Sequence, residues 1–260
     1  MIITADLRNG GVSVGLVSAE GHWQAIVRLS AVDRSADEWA FIIRALFAER
    51  GLNLVGVSQA ILSSVVPAWT STFVMVLERF LPRGTPCLVV GPGIKTGLRI
   101  RTDNPAEVGS DLVCNAVAAS ALVRPPCIII DFATTLSFTA LDRQGDLVGV
   151  ALAPGLEAAA SDLRLRAAQI PQVKLEEPER ALGKNTAESI RSGVMLGWAG
   201  LTDRLIVEIG REIAPPETPP VLVGTGWYDS PPVKTQRNMD LWESNLAMQG
   251  LYRIAMKNRG

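Results

Sequence analysis

The chain is poor in the residue types that most often announce chemistry. It holds one histidine, His22, and three cysteines, Cys87, Cys114 and Cys127, in 260 residues. His22 falls in a strand-like stretch where a surface or edge position is expected, so any general base should be a carboxylate. The cysteines are odd in number and widely spaced, which reads as small buried apolar residues rather than disulfide partners or metal ligands. No apolar run approaches the roughly 18–20 residues of a membrane span. The N-terminus also lacks a basic stretch followed by an apolar segment and a cleavage site. A cytoplasmic protein with no membrane partner is the expectation. Lys and Arg total 25 against 26 Asp and Glu, a net charge of −1. Without a sequence-wide basic field, no nucleic-acid partner is expected. There is no short-period repeat and no low-complexity tract.

What is present begins with apolar content, 48% of the chain, enough for one large domain or two ordinary ones. Residues 1–30 read as a three-stranded meander, Ile2–Asp6, Val12–Val17 and Trp23–Leu29, with Asn9-Gly10 as a two-residue hairpin turn. Asp37–Arg50 reads as an amphipathic helix that Gly51 stops. Leu54–Leu62 alternates as a strand, a helix covers roughly 68–81, and Cys87–Val90 is a short buried strand. Asn104-Pro105-Ala106-Glu107 opens a helix running to Leu122, with proline where its missing N–H matters least.

The second half repeats the pattern. Cys127–Asp131, Leu136–Leu141 and Leu147–Ala153 form another meander, with Arg143-Gln144-Gly145-Asp146 as a turn. Pro154-Gly155 starts a helix to about Ala168, and a second helix spans about Thr186–Arg211. Val221–Val223 is a strand, Gly224-Thr225-Gly226 a turn, and Leu241–Met256 the last helix. A meander followed by helices, twice, predicts a duplicated α/β architecture with half-domains 1–122 and 123–260.

Two strands, one per half, deliver an aspartate into a polar turn: Asp6-Leu7-Arg8-Asn9-Gly10 and Asp131-Phe132-Ala133-Thr134-Thr135. Such loops let amides and short polar side chains approach a phosphate, so the pair suggests two halves closing over a nucleotide. Asp131 with Thr134 and Thr135 could hold a cation and polarise phosphate oxygens. A third constellation is Gly109-Ser110-Asp111 at a helix start, where a carboxylate could take a proton from a substrate hydroxyl. Each has a plainer reading. Asn9-Gly10 could be only a hairpin, Asp111 and Glu107 only helix capping, and Asp131 only a polar hairpin flank.

Ser63-Ser64-Val65-Val66-Pro67, Gly93-Ile94-Lys95-Thr96-Gly97-Leu98 and Asn104-Pro105-Ala106-Glu107-Val108-Gly109 stand in order along the chain. They are followed by Asn115-Ala116-Val117-Ala118-Ala119, Pro154-Gly155-Leu156, Gly183-Lys184-Asn185-Thr186, Ser192-Gly193 and Gly250-Leu251. Together these segments resemble the type III pantothenate kinases of the acetate and sugar kinase/actin-like ATPase superfamily, over nearly the whole chain. The resemblance implies a duplicated actin-like ATPase (ribonuclease H-like) fold, two similar half-domains with mixed sheets flanked by helices. It implies phosphorylation of pantothenate by ATP with Mg2+, the first step toward coenzyme A, with a monovalent cation such as K+ or NH4+. A homodimer with the substrate site at the subunit interface is implied as well. Carried over by position, Asp111 would be the catalytic base, and Gly109, Ser110, Asp111, Leu112 and Thr186 would contact pantothenate. Asp6, Arg8, Asn9, Gly10 and Thr134 would serve the nucleotide and its phosphates, and Asp131 the monovalent cation.

The sequence departs from the family pattern at these loops. Arg8 stands where a glycine is expected, Gly10 where a threonine is, Leu112 where an arginine is, and Ala133 where another glycine is. Val150 and Trp227 each replace one glycine of a Gly-Gly pair. A glycine at positive φ replaced by a residue with a β-carbon costs about 1–2 kcal/mol of strain. A misplaced phosphate donor costs on the order of a hundredfold in rate. Besides a working kinase, the departures therefore leave open an impaired homologue kept as a binding or regulatory protein, and a kinase for another small hydroxylated acid.

Overall fold

β1 (Ile2–Arg8) is buried at all seven positions, as a strand covered on both faces must be. In this computed structural model, which describes residues 1–166, 173–227, 232 and 238–259, β1 is the centre of a sheet. It pairs antiparallel with β2 (Gly11–Val17), which pairs antiparallel with β3 (Trp23–Ser30). On its other side β1 runs parallel to β4 (Gln59–Ser64), and β5 (Leu88–Val89) closes the order β3-β2-β1-β4-β5. The second sheet is built from β6 (Cys127–Phe132), β7 (Thr135–Leu141), β8 (Leu147–Pro154), β9 (Val221–Gly226) and β10 (Leu241–Trp242). Its order is β8-β7-β6-β9-β10, the first sheet's topology strand for strand. The duplicated α/β architecture read from the sequence is present.

Helices cover these sheets because their apolar residues recur at helical spacing. In α1 (Ala36–Ala48), Trp39, Ala40, Ile43 and Phe47 share the buried face. Burying Ile43 and Phe47 contributes about 1.5–3 kcal/mol each. Ser35 and Glu38 form a reciprocal capping box at its start, and Gly51, at φ +70°, follows its end. α2 (Pro67–Glu78) adds Phe73, Val76 and Leu77 to the same core, where Phe73 packs 4.9 Å from Trp39 between ring centroids. α3 (Ser110–Leu122) is buried at Leu112 through Ala119. In the second half, α4 (Leu156–Arg166) and α5 (Thr186–Ile213) pack on each other, and α5 lies on β6 and β7. Trp198 of α5 sits 5.6 Å from the Phe132 ring and donates its indole N–H to the Pro154 carbonyl at 3.0 Å.

The chain forms two units, Met1–Leu98 with Asp103–Ala121 and Leu246–Gly260, and Arg99–Thr102 with Leu122–Asn245. A cut at 122/123 assigns the last helix, α6 (Leu246–Lys257), to the second half. In the structure α6 packs on β1, β2 and β4 of the first unit, where Gln59 Nε2 donates to the Ala255 carbonyl at 2.9 Å.

Several boundaries differ from the sequence reading, each for a local reason. The strand expected from Leu54 begins at Gln59, because Val55 N bonds the Asn53 side chain and Gly56, at φ +82°, turns the chain. The helix expected from Asn104 is a short 3-10 turn, Pro105–Glu107, separated from α3 by Val108 in extended conformation. Gly224-Thr225-Gly226 is not a turn but the end of β9, and Trp242 packs against Gly224 where any side chain would clash. Leu241–Trp242 therefore pairs with β9 as a strand, and the final helix starts at Leu246. The helix expected to reach Ala168 is described to Arg166, and its final residues lie outside the described residues.

Candidate functional site

Asp6 is the fifth residue of β1 and Asp131 the fifth of β6, so the duplication places them at matching points of the two sheets. Asp6 stands opposite Ser13 of β2 and Ser63 of β4. Asp131 stands opposite Ser137 of β7 and Thr225 of β9. All six residues are buried. Each sheet thus carries a central carboxylate flanked by hydroxyl-bearing residues on both neighbouring strands, near the end where the central strand turns.

The hairpin tips differ. In the first unit the ladder runs two pairs beyond Asp6, to Arg8 opposite Gly11, and leaves only Asn9 and Gly10 as an exposed turn. In the second it runs one pair beyond Asp131, to Phe132 opposite Leu136, which leaves three residues between the paired ends, Ala133, Thr134 and Thr135, the last of them already in β7 and paired with Pro154 of β8. The strain expected at Arg8 and Ala133 is absent: among the described residues no non-glycine has positive φ. The added residue of ladder at Arg8 holds extended backbone, which a β-carbon fits without penalty.

Residues two apart on a strand project to one face. Arg8 Nε accordingly donates to Asp6 Oδ2 at 2.6 Å, with side chains only 10% and 6% exposed. The other carboxylate oxygen, Asp6 Oδ1, is buried without a hydrogen-bond partner.

Ser110 ties the start of α3 to the end of β4. Its hydroxyl accepts from Ser64 N at 3.0 Å, donates to the Ser64 carbonyl at 3.1 Å and lies 3.0 Å from Ser63 Oγ. Because Ser63 is opposite Asp6, this fastening brings Asp111 to the same end of the sheet as Asp6. Asp111 folds back so that Oδ1 accepts from Leu112 N at 2.9 Å. A β-carbon at Gly109 would come within 2.6 Å of that oxygen, so glycine here makes room for the carboxylate. Leu112 is buried, placing an apolar side chain where the sequence comparison expected an arginine.

Cys114, one turn along α3, is fully buried, and its thiol is pushed well above its ordinary range. Burial is the main cause; the charges of Asp6 and Asp111 add to it, and Ser63 and Arg8 oppose it. The thiol therefore marks a spot within electrostatic reach of Asp6, Arg8 and Asp111 together.

In the second unit Thr134 is exposed in the three-residue connection, and its carbonyl accepts from Gly155 N at 3.0 Å. Thr186 is exposed at the first position of α5. The helix start is fixed by Asn185, whose side chain accepts from Glu188 N at 2.9 Å and donates to Glu188 Oε1 at 2.7 Å. His22 is exposed between β2 and β3, at the opposite end of the first sheet from the turn that follows Asp6. Ser13, Ser63, Ser137, Thr225 and Cys114 escaped the sequence reading as site neighbours. Only strand register could have revealed the first four, since each is paired to an aspartate across a ladder.

The family model described as type III pantothenate kinase matches residues 2–208. The chain belongs to the type III pantothenate kinase family. A protein of that name from Dehalococcoides mccartyi strain BAV1 is 34% identical over 261 residues, covering 99% of this chain and 96% of that one. Another from Rhodospirillum centenum is 35% identical over 263 residues, covering 99% of each. Among solved structures, the Clostridium difficile activator of the 2-hydroxyisocaproyl-CoA dehydratase, with bound ADPNP, superposes with a TM-score of 0.54 at 11% identity. That likeness covers 98% of this chain and 93% of the activator and concerns the fold alone. The duplicated mixed sheets are the actin-like ATPase fold, and membership of this family makes the chain a kinase.

Proposed function

We propose that this kinase transfers the terminal phosphate of ATP to the primary hydroxyl of pantothenate, giving 4'-phosphopantothenate for coenzyme A synthesis. The observation that carries the reading is family membership over nearly the full chain, together with an Asp111 carboxylate held at the start of α3. In this reading Asp111 accepts the hydroxyl proton as the substrate oxygen bonds to the γ-phosphorus and the bond to ADP breaks. Gly109, Ser110, Leu112 and Thr186 contact pantothenate. Asp6, Arg8, Asn9, Gly10 and Thr134 face the nucleotide. The acting form would be a cytoplasmic homodimer.

The two cations fare differently against the residues present. Asp131, buried between Ser137 and Thr225, offers the oxygen-rich surroundings that a hard monovalent cation takes. Such an ion would supply fixed positive charge for phosphate oxygens. A divalent ion held by the protein does not fit as well. Among the described residues no three His, Cys, Asp or Glu side chains gather as a metal site, and Asp6 is already committed to Arg8. Mg2+ is therefore assigned to the nucleotide, as part of the substrate.

The test is phosphopantothenate formation by the purified protein with ATP, Mg2+ and K+, beside an Asp111→Asn variant. Turnover lost in the variant supports the reading; no turnover from folded wild-type protein sinks it. Arg8 packed on Asp6, with Leu112 in place of a cation, favours a second reading, a binding protein without turnover. Ligand-induced stabilisation without product would then be the expected pattern.

A further inference from the structure

The buried pair at the end of β1 alters what a nucleotide would meet there. A lone carboxylate beside phosphate oxygens repels them, and a divalent ion ordinarily removes that repulsion by bridging the two. Here the carboxylate already has a counter-charge in its own strand. Arg8 Nε lies 2.6 Å from Asp6 Oδ2, both side chains are nearly excluded from water, and the guanidinium stays charged at every accessible pH. The bond to Asp6 is made through Nε and fixes the orientation of the guanidinium. Its fork shape suits phosphate oxygens, which makes it a natural anion contact beside the Asn9-Gly10 turn.

For a divalent ion to use Asp6, it would have to share the carboxylate with the guanidinium, two cations in a buried place. The remaining oxygen, Oδ1, is buried without a hydrogen-bond partner. A neutral water satisfies such an acceptor without adding a second positive charge. The second unit offers a contrast within the chain: the residue two after Asp131 is Ala133, which brings no counter-charge.

From this juxtaposition we infer that the Asp6–Arg8 pair takes the place of a divalent ion in nucleotide binding, so that this chain binds nucleoside di- and triphosphates without one. The inference rests on the kinase reading above and concerns binding alone; phosphoryl transfer keeps its need for the ion carried by ATP.

Calorimetric titration of ADP and of a non-hydrolysable ATP analogue, in Mg2+ and in EDTA, tests it on the full-length protein. Wild-type affinity should change less than about threefold between the two buffers. Arg8→Gln and Arg8→Gly should lose about tenfold or more in EDTA and regain part of it in Mg2+. Arg8→Lys, which keeps the charge, should fall between, and melting curves establish that each variant is folded. Wild-type binding that requires Mg2+ would overturn the inference while leaving the kinase reading intact. Arg8 variants that bind like wild type in EDTA would also overturn it. Wild-type protein that binds neither nucleotide in either buffer would overturn both.

Discussion

The two units share one topology and one central carboxylate, yet they use it differently. β1 extends past Asp6 far enough to bring Arg8 back over it, and the turn beyond is two residues long. β6 stops one pair sooner, and a three-residue connection carrying Thr134 follows Asp131. One ladder pair thus separates a carboxylate neutralised from its own strand from one whose strand supplies no cation. The lesson is that a duplicated scaffold fixes where an aspartate stands, while the residue two places on, and the ladder that holds it, decide what charge meets it.

The comparison can be broken most severely at Asp111, which belongs to the first unit. Asp111→Asn should lower phosphopantothenate formation by about a hundredfold or more while nucleotide affinity changes little, as steady-state kinetics and calorimetry would show. Next in size is the ion pair itself. Arg8→Ala leaves a buried carboxylate without its counter-charge and should cost about 3–5 kcal/mol by denaturant unfolding. Asp6→Asn combined with Arg8→Gln should cost less than the two single changes summed, because each single change strands the other partner. Ser110→Ala removes the fastening of α3 to β4 and should cost about 1–3 kcal/mol, with a loss of rate as Asp111 loses its support.

Much of this was legible in the sequence. The two meanders, the helices read from Asp37 and Thr186 and the two aspartates follow from apolar alternation, helical periodicity and turn chemistry. The rest depended on tertiary context. Nothing local tells that Gly224 continues a strand, because the reason is the Trp242 ring lying against it. Nor does local sequence send α6 back to the first sheet. Arg8 looked like a strained replacement of glycine only while the end of β1 was unknown; the register with Gly11 removes the strain and creates the ion pair. Of the site residues, Asp6 and Asp111 converge through Ser63 and Ser110, a link that ladder register makes and residue spacing cannot.

Smaller effects come from titration. Burial holds the Cys87 and Cys127 thiols up at about 12, against an ordinary 9.0. A raised folded value means that the unfolded chain releases these protons first, so stability is full below pH 9 and declines as pH rises from there toward 12. Equilibrium unfolding across that range should show the decline, and a thiol reagent at pH 8 should label the three cysteines only after unfolding. The smallest effect is shared by both units. Glu38 and Glu188 are held below the ordinary carboxylate value, Glu38 first by Ser35 N and Glu188 first by Lys184 N. Their capping contributions are present at neutral pH and fade as pH falls below about 4.5. Glu38→Gln and Glu188→Gln should remove this acid sensitivity from α1 and α5 in turn, whereas Ser35→Ala and Asn185→Ala keep the Ser35 and Lys184 backbone donors and should remove only part of it.

The most direct measurement is a crystal structure of the protein with a non-hydrolysable ATP analogue and Mg2+. The expected result has the Arg8 guanidinium bonded to both Asp6 and a phosphate oxygen, with Mg2+ bound to the phosphates and not to Asp6. A structure with Arg8 swung away and Mg2+ bound directly to the Asp6 carboxylate would contradict it.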